Sequence, residues 1–181
     1  MSLPPPATAV LLAVLAILAA VWDLRWRRIP NWLTLPGIVL GLALSWFLEV
    51  PGIWQSLQGL GVAFAVYFVL YVLRGMGAGD VKLMAAVGAT AGLANWLGIL
   101  FLTALIGGAA GILMVTTKGR FRATAFNLLR IVGSLGRGRA PYKDNPDLDI
   151  ASGTALRLPH GVMIALGTLG FLAAAFRWAP K

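Results

Sequence analysis

An all-α, polytopic membrane protein is the fold class this sequence predicts. Three observations carry that reading. The 181-residue chain is 59% hydrophobic and only 12% charged, with a mean hydropathy of +0.84. Apolar runs approaching the ~20 residues needed to cross a bilayer recur along its whole length. The basic residues gather in alternate loops, which is the positive-inside pattern.

The runs place about six transmembrane helices, at residues 7–22, 33–48, 53–73, 81–95, 96–115 and 159–178. The whole chain, 1–181, reads as a single integral membrane domain, because its longest polar stretch is too short and Gly-rich for an independent core. That stretch, 118–157, is expected to be a cytoplasmic basic loop. Within it Phe121, Ala125, Leu128, Leu129, Val132 and Leu135 recur at helical spacing between arginines. The pattern predicts an interfacial amphipathic helix lying on an anionic leaflet, with a flexible basic linker as the alternative. Gly37 with Gly41, Gly88 with Gly92 and Gly107 with Gly111 form small-xxx-small pairs. Such pairs let helix backbones approach closely, although a Gly-rich membrane helix would contain them anyway.

Orientation follows from the charges. Arg25, Arg27 and Arg28 lie in the first loop, Arg74 and Lys82 around the third, and eight more basic residues in the fifth. These are thirteen of the fifteen Lys and Arg residues, which predicts cytoplasmic odd loops and outward-facing termini. Trp22, Trp26 and Trp32 flank the first loop, while Trp46, Trp54, Trp96 and Trp178 fall at the expected outer ends. This is the arrangement of two aromatic belts. The start of the chain carries no basic residue before the first run, so that run is expected to be a span and not a cleaved signal.

The same placement excludes other classes. A net charge of +9 would suit a nucleic-acid binder, but the charge sits in membrane-flanking loops, so no nucleic-acid partner is expected. With no cysteine there is no disulfide, thiolate or Cys-ligated zinc chemistry. The single histidine, His160, does not make a metal site, and a packing or hydrogen-bonding role is expected for it. Asp144, Asp147 and Asp149 beside Pro146 read as a solvated turn. No cofactor and no metal are expected.

Two acids remain. Asp23 closes the first apolar run and Asp80 opens the fourth, and the topology puts both on the cytoplasmic face. An ionisable group at the edge of a span is a candidate functional residue. Taken singly, Asp23 could pair with a neighbouring arginine and Asp80 could cap a helix. Taken together, two carboxylates can share a proton, so that one activates water while the other donates to a carbonyl. Glycines precede Asp80 in Gly77-Ala78-Gly79-Asp80. They are expected to permit unusual φ values and tight backbone approach, so that an extended peptide can lie against the loop. Lys82 is expected to snorkel to the interface, with electrostatic influence on an aspartate as the alternative.

Asp23-Leu24-Arg25-Trp26-Arg27-Arg28-Ile29-Pro30-Asn31 resembles the first aspartate motif of the type IV prepilin peptidases. Gly77-Ala78-Gly79-Asp80-Val81-Lys82-Leu83 is similar to their second, which defines GxGD membrane aspartyl proteases. Leu158-Pro159-His160-Gly161-Val162 resembles a further family segment in which an aromatic usually fills the place of His160. The resemblance implies a bacterial inner-membrane enzyme that cleaves prepilin or pseudopilin leaders at the cytoplasmic face. It implies Asp23 and Asp80 as the catalytic pair, with Ile29, Pro30, Asn31, Gly77 and Gly79 shaping the site and Lys82 beside it. The larger members carry a cysteine-bearing cytoplasmic insert associated with N-methylation. Its absence here argues against methyltransferase activity and resembles the small peptidases of tight-adherence (Flp-type) pili. Two rival readings differ in class: a small transporter using the two acids for ion coupling, and a non-catalytic pilus assembly factor. Against transport, both acids sit at one membrane edge and no inverted repeat is evident.

Overall fold

The computed structural model describes residues 4–73, 75–119, 133 and 159–178. The expected amphipathic helix and acidic turn of the 118–157 loop lie almost entirely outside the described residues, as does Arg74. The described chain forms α1 (Pro6–Trp26), α2 (Asn31–Leu48), α3 (Ile53–Val72), α4 (Ala78–Thr117) and α5 (His160–Trp178). All five are long and apolar enough to cross a membrane. The protein is all-α and polytopic.

Where the helices begin and end differs from the sequence expectation in ways that matter. The first helix runs past residue 22 and stops at Arg27, whose left-handed backbone (φ 52°) turns its N–H back to the Asp23 carbonyl at 2.9 Å. Asp23 therefore lies in the last turn of α1 instead of in the loop beyond it. Likewise Asp80 lies in the first turn of α4.

The expected fourth and fifth spans are the two halves of α4, and the break falls at Gly92, not at Asn95–Trp96. Gly92 has φ 74° and ψ 165°, a region that only glycine enters readily. A Cβ there would also lie 2.7 Å from the Pro51 ring. Hydropathy cannot reveal such a break, because the chain stays apolar straight through it.

Packing partners give the direction of each half. Gly37 and Gly41 of α2 face Ala86 and Thr90 in turn, so α2 runs parallel to residues 78–91. Gly59 of α3 lies against Gly88 while Gln55 lies against Gly92, so α3 runs antiparallel to them. In α5, Met163 neighbours Gly107 and Gly167 meets Thr103, so residues 93–117 run antiparallel to α5. Because α5 starts beside Asp23, the second half of α4 returns to the end where the first half began. The chain thus reverses at Gly92. Residues 78–91 rise only about 21 Å, short of a ~30 Å hydrocarbon core, so one end of that segment is recessed from the interface.

Small residues make these approaches possible. A Cβ on Gly59 or Gly88 would overlap the carbonyl of the other, so α3 and α4 meet backbone to backbone. Gly37 and Gly41 are similarly enclosed, whereas a Cβ on Gly107 would reach Met163 only at 3.8 Å. The first two glycine pairs are therefore true packing sites, and Gly107 is not. Ser45 joins α2 to α3 by its 2.5 Å contact with Ser56, both buried.

The tryptophans need one correction. Trp46, Trp54 and Trp178 are exposed at the end opposite the aspartates, as a belt requires, but Trp96 is fully buried in the core. It follows the Gly92 break and turns inward among the helices. At the aspartate end Trp22 packs against Trp26 and Trp32, with ring centroids 4.7 and 5.1 Å apart.

If Gly92 sets the reversal, Gly92→Ala carries a strained backbone, costing roughly 1–3 kcal/mol, as well as the collision with Pro51. Gly61 has open space around it and is the control. Thermal unfolding in detergent should show a lowered Tm for Gly92→Ala, and a Tm at or above wild type for Gly61→Ala.

Candidate active site

Three chain segments converge at one end of the bundle. Asp23, 7% exposed, points its carboxylate at the first turn of α5, where the Gly161 N–H donates to Oδ2 at 2.8 Å. Helix N-termini carry N–H groups without intrahelical partners, and this carboxylate satisfies one of them. A Cβ at Gly161 would lie 3.0 Å from Asp23 and 3.1 Å from Ile29, so only a glycine lets the helix approach this far.

Asp80 is held differently. It stands in the first turn of α4, and its Oδ2 accepts from the Gly77 N–H at 3.1 Å while its own N–H donates to the Gly77 carbonyl. This is the carboxylate half of a capping box. Asp80 is half-buried and feels the charge of Asp23, so the two acids share one electrostatic environment.

The residues flanking the two acids tie the motifs together. A Cβ on Gly79 would come within 3.0 Å of the Ile29 side chain, so α4 can meet the Ile29-Pro30 turn only without one. Pro30 sits extended (φ −76°, ψ 148°) immediately before α2 and accepts the N–H of Leu33 at 3.2 Å. From the first turn of α2, Asn31 accepts a 2.9 Å hydrogen bond from the Lys82 ammonium. This exposed bond, between residues 51 positions apart, is where the Lys82 ammonium ends. The unusual backbone expected of the glycines is not found. Gly77 has an ordinary φ of −83°, and the positive-φ glycines among the described residues are Gly52, Gly92 and Gly119. Gly79 is there for space. A Cβ on Gly77 would meet only the Asp80 carboxylate, at 3.4 Å.

Two further side chains reach the site. The His160 ring lies in the field of Asp23, and its Nε2 is buried without a hydrogen-bond partner among the described residues. Its ring centroid is 6.1 Å from that of Tyr67 on α3, a core residue that feels the charge of Asp80. The packing role expected of His160 is thus seen, in contact with a tyrosine that sequence reasoning missed. Tyr67 has no local signal, being one aromatic in an apolar run. Gly161 was available in the Pro-His-Gly segment, but its backbone bond to Asp23 was not foreseeable.

A cleft of about 500 Å³ opens at the opposite end of the bundle, between Trp46, Glu49, Trp54 and Gln55. It contains one carboxylate and no second acid, so paired-acid chemistry belongs to the Asp23–Asp80 end. Among the described residues, Arg25, Arg27, Arg28, Lys82 and Lys118 gather at that same end, with Arg177 at the other.

Known proteins resemble this chain. The chain is 34% identical over 123 residues to the prepilin leader peptidase/N-methyltransferase of Xanthomonas campestris pv. campestris, covering 64% of this chain and 43% of that protein. It is 37% identical over 105 residues to the protein of that name from Neisseria gonorrhoeae, covering 54% and 37%. Leader peptidase HopD of Escherichia coli is 32% identical over 87 residues, covering 44% of this chain and 56% of HopD. The chain spans less than half the length of the first two relatives. No solved structure matches it. Residues 10–112, over half the chain and holding both aspartates, match the type IV leader peptidase family, and the chain belongs to that family.

Proposed function

We propose that this protein is a membrane aspartyl endopeptidase that removes the N-terminal leader of prepilin-like proteins, with Asp23 and Asp80 as its catalytic pair. The observation that carries the proposal is the convergence of these two acids at one end of the bundle, linked by the Ile29–Gly79 approach. The basic residues around them support a cytoplasmic location for that end.

The reaction needs no covalent intermediate. The ionised carboxylate takes a proton from water as the water oxygen attacks the scissile carbonyl carbon. The protonated carboxyl gives its proton to the carbonyl oxygen, forming a neutral gem-diol. Collapse of the diol breaks the C–N bond as the proton held by the first carboxyl passes to the leaving amine, while a diol hydroxyl reprotonates the second carboxylate. A peptide descending the bundle end as an extended strand would be cut just outside the bilayer, where a prepilin's apolar helix begins. The short spacing between Asp23 and α2 supports the small, tight-adherence type of peptidase. The relatives' names pair the peptidase with an N-methyltransferase, so they lend no support to the expectation that methylation is absent.

Co-expression with an epitope-tagged prepilin tests the assignment. Asp23→Asn and Asp80→Asn should each lower cleavage by about 10²- to 10⁴-fold at unchanged membrane levels. Cleavage surviving either change would remove that residue from the mechanism, and an intact pilus-assembly phenotype in both would favour the assembly-factor reading.

The geometry around the acids gives a second expectation. Gly79→Val should push Ile29 away and lower kcat by about tenfold or more, since sub-ångström displacements of reacting groups are costly. Gly77→Ala, which meets only ordinary contact, should keep most of its activity. Equal losses in the two variants would show that the separation between the motifs is not what matters.

Mass spectrometry of the mature pilin, with this peptidase as the sole one in the cell, addresses methylation. The peptidase-only reading predicts a free N-terminal amine, and a product one methyl group heavier would contradict it.

A further inference from the structure

One face of α3 is buried, and its residues are Ser56, Gly59, Ala63 and Tyr67. The spacing is that of a single helical stripe. The first three are small, and they let α3 lie directly on residues 78–91, with Gly59 and Ala63 both against Gly88. Tyr67 breaks the pattern. It is the one bulky residue on the stripe, it is 2% exposed, and it stands at the aspartate end.

Space-filling alone would be served by leucine or phenylalanine. A buried tyrosine brings a hydroxyl that is costly to desolvate unless something receives it. The Tyr67 hydroxyl makes no hydrogen bond to another described residue. Asp80, whose charge acts on Tyr67, has Oδ2 engaged by the Gly77 N–H, while Oδ1 accepts nothing from the described residues. Among the described residues neither the Tyr67 hydroxyl nor Asp80 Oδ1 has a hydrogen-bond partner, and the antiparallel register that sets Gly59 and Ala63 on Gly88 carries Tyr67 towards the first turn of α4. On its other flank the Tyr67 ring packs on His160, which precedes the Gly161 N–H bound to Asp23. Tyr67 thus packs on the residue next to the anchor of Asp23 and lies in the field of Asp80.

We infer that Tyr67 is a positioning residue of the aspartate pair, its hydroxyl donating to Asp80 Oδ1 during turnover and fixing the rotation of that carboxyl towards Asp23. His160 holds the ring in place from the α5 side. The inference rests on the reading of Asp80 as catalytic, and it adds α3 to the working parts of the site.

Steady-state cleavage of a synthetic prepilin by the full-length enzyme in nanodiscs tests it. Tyr67→Phe deletes the hydroxyl and keeps the ring. It should lower kcat about tenfold with KM near wild type, as expected when an interaction made only in the transition state is lost. Wild-type kcat in Tyr67→Phe would overturn the inference and reduce Tyr67 to packing. A fluorinated tyrosine at position 67 is the second probe, needed if Tyr67→Phe does not accumulate. It retains ring and hydroxyl but alters donor strength, so kcat should change, and an unchanged kcat would again overturn the inference. Asp23→Asn and Asp80→Asn are run alongside. If both are inactive while Tyr67→Phe is normal, only the role of Tyr67 fails. If either cleaves normally, the two-aspartate reading fails, and the inference with it.

Discussion

The aspartate end of this protein depends on one steric constraint: Gly79 must meet Ile29 with no side chain between them. Asp23 and Asp80 belong to different helices, and each is anchored by a backbone N–H, from Gly161 and Gly77 respectively. Those anchors orient the carboxylates without bringing them together. The Ile29–Gly79 contact joins the segments that carry them, reinforced by the Lys82–Asn31 bond across the same pair of motifs. In lipid, apolar surface gives helices little reason to associate, so close packing and hydrogen bonds must supply the adhesion.

The rest of the bundle serves to deliver α4 to that contact. Residues 78–91 are clasped by α2 through Gly37 and Gly41 and by α3 through Gly59. The reversal at Gly92 then sends the chain back to pack on α5, whose first turn closes over Asp23. A 14-residue leg is too short to span a bilayer at ~1.5 Å per residue, so the site and the reversal cannot both lie at the surface.

Much of this was legible in the sequence, for identifiable reasons. Long apolar runs, alternate-loop charge and two acids at run ends are one-dimensional signals, and the helices, their directions and the placement of Asp23 and Asp80 at one end follow from them. What escaped was three-dimensional. The Gly92 break hides inside an unbroken apolar stretch, so the turn was expected at the polar Asn95. Trp96 looked like a belt residue because its burial depends on that same break. The glycines before Asp80 suggested backbone freedom, whereas Gly79 supplies room for Ile29 at an unexceptional φ. Gly161 acts through its backbone and Tyr67 through its neighbours, and neither leaves a mark in residue type or spacing.

The most direct test of the account is where a substrate's cleavage site touches this protein. A photo-crosslinking residue placed beside the scissile bond of an intact prepilin, captured on an Asp80→Asn variant and mapped by mass spectrometry, reads that contact. The account predicts crosslinks around Ile29, Gly77–Gly79 and His160 at the aspartate end of the bundle. Crosslinks confined to the Trp46–Gln55 end, with none near the two acids, would contradict it.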